Sequence, residues 1–150
     1  MRKSMLRVID ICRGFVPAEQ LAAMVQGLRG EEREYFRGCL REVAATVQSM
    51  PATYGQDGKG DDAVVHLHYF GGNWDWWITE KDIDADGQGQ VQAFGMADSG
   101  YGPELGYIGI KDMLNRPAIN LDLHWTPQTL GQIKAKRGGA ATGAPAAAPA

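Results

Sequence analysis

The sequence lacks several features that mark secreted and membrane proteins. It has only two cysteines, Cys12 and Cys39, without the CxxC spacing of a redox or metal motif. No stretch approaches the ~20 apolar residues that span a bilayer. The basic N-terminal stretch has charges among its apolar residues, unlike a signal peptide. These absences predict a cytoplasmic chain with reduced cysteines that does not enter the membrane.

A strong charge of either sign is also missing. The chain has 15 Lys and Arg against 18 Asp and Glu, which gives a formal net charge of −3. Contact with nucleic acid would therefore need a local basic cluster. Large side chains are absent from residues 138–150, which contain only Ala, Gly, Pro and one Thr. This segment is predicted to be a disordered tail, and residues 1–137 are predicted to form one domain.

The hydrophobic pattern changes from a helical to a strand period along the chain. Apolar residues recur every three or four positions over residues 1–50, where the longest pattern ends before Pro51. Beyond residue 63, short alternating segments are separated by turns rich in Gly and Asp. The sequence therefore predicts an α+β domain, in which N-terminal helices pack on a roughly five-stranded, mainly antiparallel sheet over residues 63–125. A short C-terminal helix is predicted over residues 127–136, with Pro127 at its first position.

All three histidines lie on the first and last predicted strands. His66 and His68 are two residues apart and are expected to share a face, as are Asp122 and His124. Together they have the ligand types of a zinc site with three nitrogens and one oxygen. In a simple meander these strands would be opposite edges about 19 Å apart, at ~4.8 Å per strand, and the ligands converge only if a rearranged strand order or closure pairs the two strands. A zinc or other divalent metal site is therefore the alternative hypothesis, and the first expectation is outward-facing polar residues without a cofactor.

A basic stripe on the longest helix is a candidate binding surface. Arg33, Arg37 and Arg41 recur every four residues, and like charges at this spacing repel mildly. Phosphate groups or an acidic protein surface would offset that repulsion. The neighbouring Glu34 and Glu42 offer the simpler interpretation, a solvated helix face.

Two acidic loops are further candidates for binding, because their carboxylates could contact a basic surface of a partner. Asp61 and Asp62 end the Gly-rich segment "GQDGKGDD", which is interpreted as a flexible connector. Asp84 and Asp86 follow Asp82 in a segment that starts like a calcium loop, but Ala93, its twelfth residue, stands where the bidentate Glu belongs. A hairpin turn is therefore the better interpretation of this second loop.

The tryptophans of "NWDWWITEK" are the last candidates. By alternation Trp74 and Trp76 share one face of a strand, and Trp77 lies on the other. Each face therefore needs a covering layer. Trp77 is predicted either to pack in a core or, if it is exposed, to contact a protein partner.

Several of these motifs, in order from Met50 to Lys134, resemble an uncharacterised bacterial family. They are "MPATYGQDGKGDDAVVHLHYFGG", "DWWITEKD", "QAFGMA", "ELGYIGI" and "LDLHWTPQTLGQIK". The family is the domain-of-unknown-function family 2958, common on plasmids, integrative elements and prophages. It brings no established activity to any residue. The resemblance implies a context, that of an accessory cytoplasmic protein of mobile DNA.

This context leads to three hypotheses about function. The first is a non-enzymatic binding protein of a mobile genetic element, in its sharpest form an anti-CRISPR or antirestriction inhibitor. Such an inhibitor would occlude a protein or nucleic-acid site on a nuclease or nucleoprotein complex. The second is a metal-dependent hydrolase or nuclease that uses the His/Asp cluster, and the third is a nucleic-acid-binding accessory protein that uses the arginine stripe. Covalent catalysis has little support, because "ADSGYG" lacks the first Gly of a nucleophile elbow.

Overall fold

A computed structural model describes residues 2–82 and 92–141, and within them the fold is α+β, as predicted. The helices are α1 (Arg2–Cys12), α2 (Ala18–Gly27), α3 (Arg33–Ser49), α4 (Ile110–Leu114) and α5 (Leu130–Ala141). The strands are β1 (Val64–Val65), β2 (Leu67–Gly71), β3 (Trp74–Glu80), β4 (Ala93–Asp98), β5 (Pro103–Ile108), β6 (Asn120–Leu121) and β7 (Gln128–Thr129). No helix in these residues has the length and apolar character needed to cross a membrane.

The N-terminal helices cover one face of the sheet. The buried residues of α3 are Leu40, Val43, Ala44 and Val47, at the spacing that places them on one stripe. Both α1 and α2 pack against α3. The stripe meets Tyr69 and Ile78 of the sheet in the main core.

The five-stranded sheet has the order β5-β4-β3-β2-β6, and every neighbouring pair is antiparallel. The number and direction of the strands are as predicted, and the order, which the sequence left open, departs from a simple meander at the last strand. After β5 the chain crosses through α4 to the far edge, where Leu121 of β6 pairs with Tyr69 of β2. Burial of Ile119 and Leu121 in the main core accounts for this return.

The last strand is also shorter than predicted. Only Asn120 and Leu121 belong to it, and one further hydrogen bond runs from the Asp122 N–H to the His68 carbonyl (2.9 Å). The Asp122 carboxylate then accepts a hydrogen bond from the His124 backbone N–H (3.0 Å). This Asp-centred turn ends the strand.

The second face of the sheet carries a smaller core under α5. Trp77 and Met96 from the sheet pack there with Leu130 and Ile133 of α5. Trp76 lies in the main core, so the predicted alternation of the tryptophans across the strand is confirmed.

Helix α5 begins later than predicted, at Leu130 rather than residue 127. Gln128 and Thr129 first pair with β1, and Thr129 then caps the helix. The Thr129 hydroxyl accepts from the Gln132 N–H (3.1 Å) while the Gln132 side chain accepts from the Thr129 N–H (2.8 Å), a capping box. The helix continues to Ala141, so residues 138–141 of the predicted tail are helical, and residues 142–150 lie outside the described residues.

The Gly-rich connector before β1 is anchored by the side-chain hydrogen bonds of one residue, Gln56. Gln56 is 6% exposed. Its amide donates to the carbonyls of Val64 (2.8 Å) and Thr79 (2.9 Å) and accepts from the Val64 N–H (2.6 Å). One buried glutamine thereby joins the connector to two strands.

Candidate functional site

The second face of the sheet presents a histidine between two carboxylates. Leu67 and Tyr69 point into the main core, so His68 points the other way. Its Nδ1 lies 3.0 Å from an Asp122 oxygen and its Nε2 lies 2.8 Å from an Asp75 oxygen. Both nitrogens can donate only when the ring is doubly protonated. The geometry therefore places one carboxylate against each ring nitrogen, and the donor and acceptor roles depend on the tautomer of the ring.

Aromatic rings surround this histidine. The centroid of the His68 ring lies 5.6 Å from that of Trp77, 5.8 Å from that of Phe70 and 5.1 Å from that of Trp125. The Trp125 indole N–H donates to the Val65 carbonyl (3.0 Å), which fixes that ring. The His68 side chain is consequently only 14% exposed.

Arg137 of α5 extends the charged chain across the sheet. Its Nη2 and Nε lie 2.9 and 3.1 Å from one oxygen of Asp98, and its Nη1 lies 3.4 Å from Asp75. Its guanidinium also lies 4.9 Å from the centre of the Trp77 ring. We call the resulting set the charged network, in which acidic and basic groups alternate: Asp122, His68, Asp75, Arg137 and Asp98.

Asp98 is the most buried member of the network, at 4% exposure. Its carboxylate accepts hydrogen bonds from the N–H groups of Gly100 (2.8 Å) and Gly102 (3.1 Å). These glycines have φ of 104° and 117°, in a region that other residues rarely adopt. Burial by itself raises the pKa of Asp98, but the two backbone bonds and Arg137 outweigh it and lower the pKa below its ordinary value.

Two of the four predicted metal ligands, His68 and Asp122, are brought together because β6 is next to β2. His124 lies in the turn after β6 and is exposed. His66 lies between β1 and β2, where the alternation reverses, since Val65 packs in the second core and Leu67 in the main core. The two-residue spacing of His66 and His68 therefore does not place them on one face. Burial lowers the pKa of His66.

Metal coordination by His68 would require a rearrangement. Both ring nitrogens face aspartate oxygens, so one carboxylate would have to turn away to free a nitrogen lone pair. Across residues 2–82 and 92–141, no three His, Cys, Asp or Glu side chains are grouped as metal ligands.

The predicted arginine stripe lies on α3, away from the charged network. Arg33 and Arg41 are exposed, whereas Arg37 is paired with Glu34 at 2.6 Å. This ion pair neutralises Arg37 within the helix, in line with the simpler interpretation of a solvated helix face. Arg33 and Arg41 remain exposed at the two ends of the stripe. Nucleic-acid binding there stays a prediction.

The other predicted binding residues are in different places. Asp61 forms an ion pair with Lys134 of α5 (2.8 Å), and Asp62 is exposed. Trp77 is 3% exposed, because α5 and Arg137 cover it, so it packs in the second core instead of presenting an exposed contact. Asp84 and Asp86 lie outside the described residues, as does most of the candidate calcium loop.

Sequence reasoning missed three members of the charged network, Asp75, Asp98 and Arg137. Asp98 had a local signal, because Asp followed by Gly two and four residues later is typical of a carboxylate that caps a turn. Asp75 lies two residues before Trp77 and so shares its face of β3. Arg137 had no local signal, since its role depends on how α5 docks.

An exposed tyrosine and leucine surface lies at the β5 edge, and we call Tyr54, Leu105 and Tyr107 the edge patch. Leu105 and Tyr107 are 49% and 54% exposed on β5, and Tyr54 is 65% exposed. The two tyrosine hydroxyls are 3.3 Å apart. This hydrogen bond is the main cause that raises the pKa of Tyr107, with smaller contributions that include the carboxylates of Asp57 and Glu80. The patch is therefore apolar and aromatic, with acidic neighbours.

Tyr54 is held in an unusual backbone conformation. Its φ is 76°, in the left-handed region that glycine favours. Its N–H donates to the Glu80 carboxylate (2.7 Å), and Glu80 is 5% exposed. A buried carboxylate thus holds a strained residue whose ring is exposed.

No model of a known protein family, no curated protein and no solved structure matches this chain. The class of protein is therefore defined by the fold and the surfaces alone. It is an α+β domain with a hydrogen-bonded charged network on one sheet face and an aromatic patch at one sheet edge. The family resemblance of the motifs stays a prediction.

Proposed function

We propose that this protein is a non-enzymatic binding protein of a mobile genetic element, which recognises a protein partner through the edge patch. The observation that carries the proposal is the edge itself. Within the described residues β5 pairs only with β4, so its outer backbone groups are available to an extended segment of another protein. Exposed tyrosines beside such an edge supply large contact areas at low cost in conformational entropy.

The backbone strain at Tyr54 supports this assignment. A non-glycine residue in the left-handed region costs roughly 1–3 kcal/mol, and such residues cluster at functional sites. Here the strained backbone places the Tyr54 hydroxyl against that of Tyr107, which orders both rings of the patch.

In its sharpest form the proposal is a counter-defence inhibitor, anti-CRISPR or antirestriction, that occludes a site on a nuclease or nucleoprotein complex. The support for this form is the motif resemblance, with its context of plasmids and prophages. Asp57, an exposed acidic neighbour of the patch, favours a basic surface on the partner. Nucleases present such surfaces where they bind nucleic acid.

The test is the double substitution Leu105→Lys with Tyr107→Lys. We expect it to reduce capture of the partner from a defence-proficient host by roughly tenfold or more, because lysines oppose both strand addition and a basic surface. Plasmid protection in that host should fall in parallel. The control is Tyr35→Lys on α3, an aromatic residue with 48% exposure that lies outside the edge patch. Unchanged capture and protection in the double variant, or equal losses in the control, would contradict the proposal.

The adjacency of His68 and Asp122 favours a second candidate, a metal-dependent hydrolase or nuclease. This candidate predicts stoichiometric zinc or another divalent metal in protein purified without a histidine tag. Elemental analysis should then show loss of the metal in His68→Ala and retention in His124→Ala, since His124 lies apart from the network. Metal content that is absent, or unchanged in His68→Ala, would eliminate it.

A further inference from the structure

A groove of about 970 Å³ lies between α1, α2 and α4, on the helical side of the molecule. Its apolar lining includes Leu6, Ile9, Leu21, Val25 and Leu114. The groove is open to solvent along α1, where Leu6 is 61% exposed. Such a groove has the volume of a large ligand site.

The rim of the groove is basic, in a chain whose formal net charge is −3. Arg29 follows α2 and Lys111 lies in α4, and within the described residues neither has an ion-pair partner. Arg13 is paired with Asp10 at 3.2 Å, but the two side chains are 66% and 72% exposed. An exposed pair of this kind contributes little and exchanges readily for another carboxylate. The rim therefore carries an excess of positive charge.

We propose that this groove binds an acidic amphipathic helix of a protein partner. Apolar residues at positions i, i+3, i+4 and i+7 of that helix would pack on the apolar lining, which forms the floor of the groove, as in helix-in-groove recognition. Carboxylates along its sides would meet Arg29 and Lys111 on the rim. The groove is independent of the edge patch, because it is built from α1, α2 and α4 rather than from β5.

Charge complementarity selects this occupant. The chain's own residues 142–150 contain no acidic residue and no apolar side chain larger than proline, so they match neither the rim nor the floor. A basic helix would match the floor but not the rim. Only a ligand that is both apolar on one face and acidic on its flanks satisfies both parts of the groove.

The test uses a fluorescein-labelled designed peptide with leucine at the four helical positions and glutamate on the flanks. Its counterpart has lysine in place of every glutamate. In fluorescence polarisation we expect saturable binding of the acidic peptide to the full chain, and binding of the basic peptide that is weaker by roughly tenfold or more. The double variant Arg29→Glu with Lys111→Glu should weaken acidic-peptide binding by a similar factor. Both residues are exposed, so circular dichroism should show an unchanged fold.

The control is Leu105→Lys with Tyr107→Lys, which alters the edge patch and should leave acidic-peptide binding unchanged. No binding of the acidic peptide, equal binding of both peptides, or undiminished binding by the rim variant would overturn the proposal. Removal of residues 142–150 should have no effect. If it strengthens binding of both peptides alike, the tail occupies the groove and the proposal is wrong. None of these results depends on whether the edge patch binds a partner.

Discussion

Alanine in place of Gly95 is expected to lower the free energy of unfolding by about 3 kcal/mol, a large share of the roughly 5–15 kcal/mol that stabilises a domain of this kind. A Cβ at this position would lie 2.0 Å from the Trp77 carbonyl oxygen and 3.0 Å from the Ile78 Cα. Both atoms are backbone of β3, which is paired on both sides. The strand therefore cannot move without breaking its hydrogen bonds. The pairing of β3 with β4 shifts register between Ile78 and Glu80, and such a bulge explains the close approach.

Gly106→Ala is the matched control, because Gly106 lies directly opposite Gly95 on β5. Nothing lies within 4 Å of a Cβ at Gly106, and alanine reduces the entropy of the unfolded chain. We expect its stability to be unchanged or higher by up to about 1 kcal/mol. Urea unfolding followed by circular dichroism measures both variants. If the two alanines cost the same, the contact between Gly95 and β3 is not the cause.

Arg137→Ala is expected to destabilise the protein by roughly 2–3 kcal/mol. The substitution removes the cation from Asp98, whose side chain is 6% exposed, and from Asp75. The two glycine N–H groups remain on Asp98, so the loss is smaller than for a fully unpaired buried charge. The contact of the guanidinium with Trp77 is lost as well. Thermal and urea unfolding measure the change.

Lys134→Ala on the same helix is the control, since its ion pair with Asp61 is exposed and should contribute at most about 1 kcal/mol.

Acid unfolding gives a second readout of the role of Arg137. The pKa of Asp98 is lowered in the folded protein, so this residue stabilises the fold above the ordinary value of 3.8, and the contribution is lost as the pH falls through the lowered pKa. Arg137→Ala should lose less stability over that range than the unmodified chain. Equal destabilisation by both variants, with identical acid profiles, would show that Arg137 acts only as a surface residue.

The elements of the fold were predictable because their signals are local. Helical spacing located α3, and alternation located the strands and assigned Trp76 and Trp77 to opposite faces. The strand order was not predictable in this way. It depends on the burial of Leu121 against the main core, which no short window of sequence contains.

The candidate site was predictable only in part for the same reason. His68 and Asp122 were recognised as residues of interest, yet their hydrogen bond joins positions 54 apart in the sequence. Asp98 and Arg137 are 39 apart, and their contact requires α5 to lie over the second face. The edge patch combines Tyr54 from the connector with β5, so it too forms only when distant segments meet.

The charged network also has a consequence for biosynthesis. Its members leave the ribosome in the order His68, Asp75, Asp98, Asp122 and Arg137, so Asp98 emerges well before the cation that neutralises it. The main core has most of its residues once β6 has emerged, whereas the second core waits for Leu130 and Ile133. Nascent chains should therefore expose Trp77 and Met96 to chaperones until α5 docks. In the finished protein the amide hydrogens of α5 should exchange before those of β3, because β3 is paired with a strand on both sides.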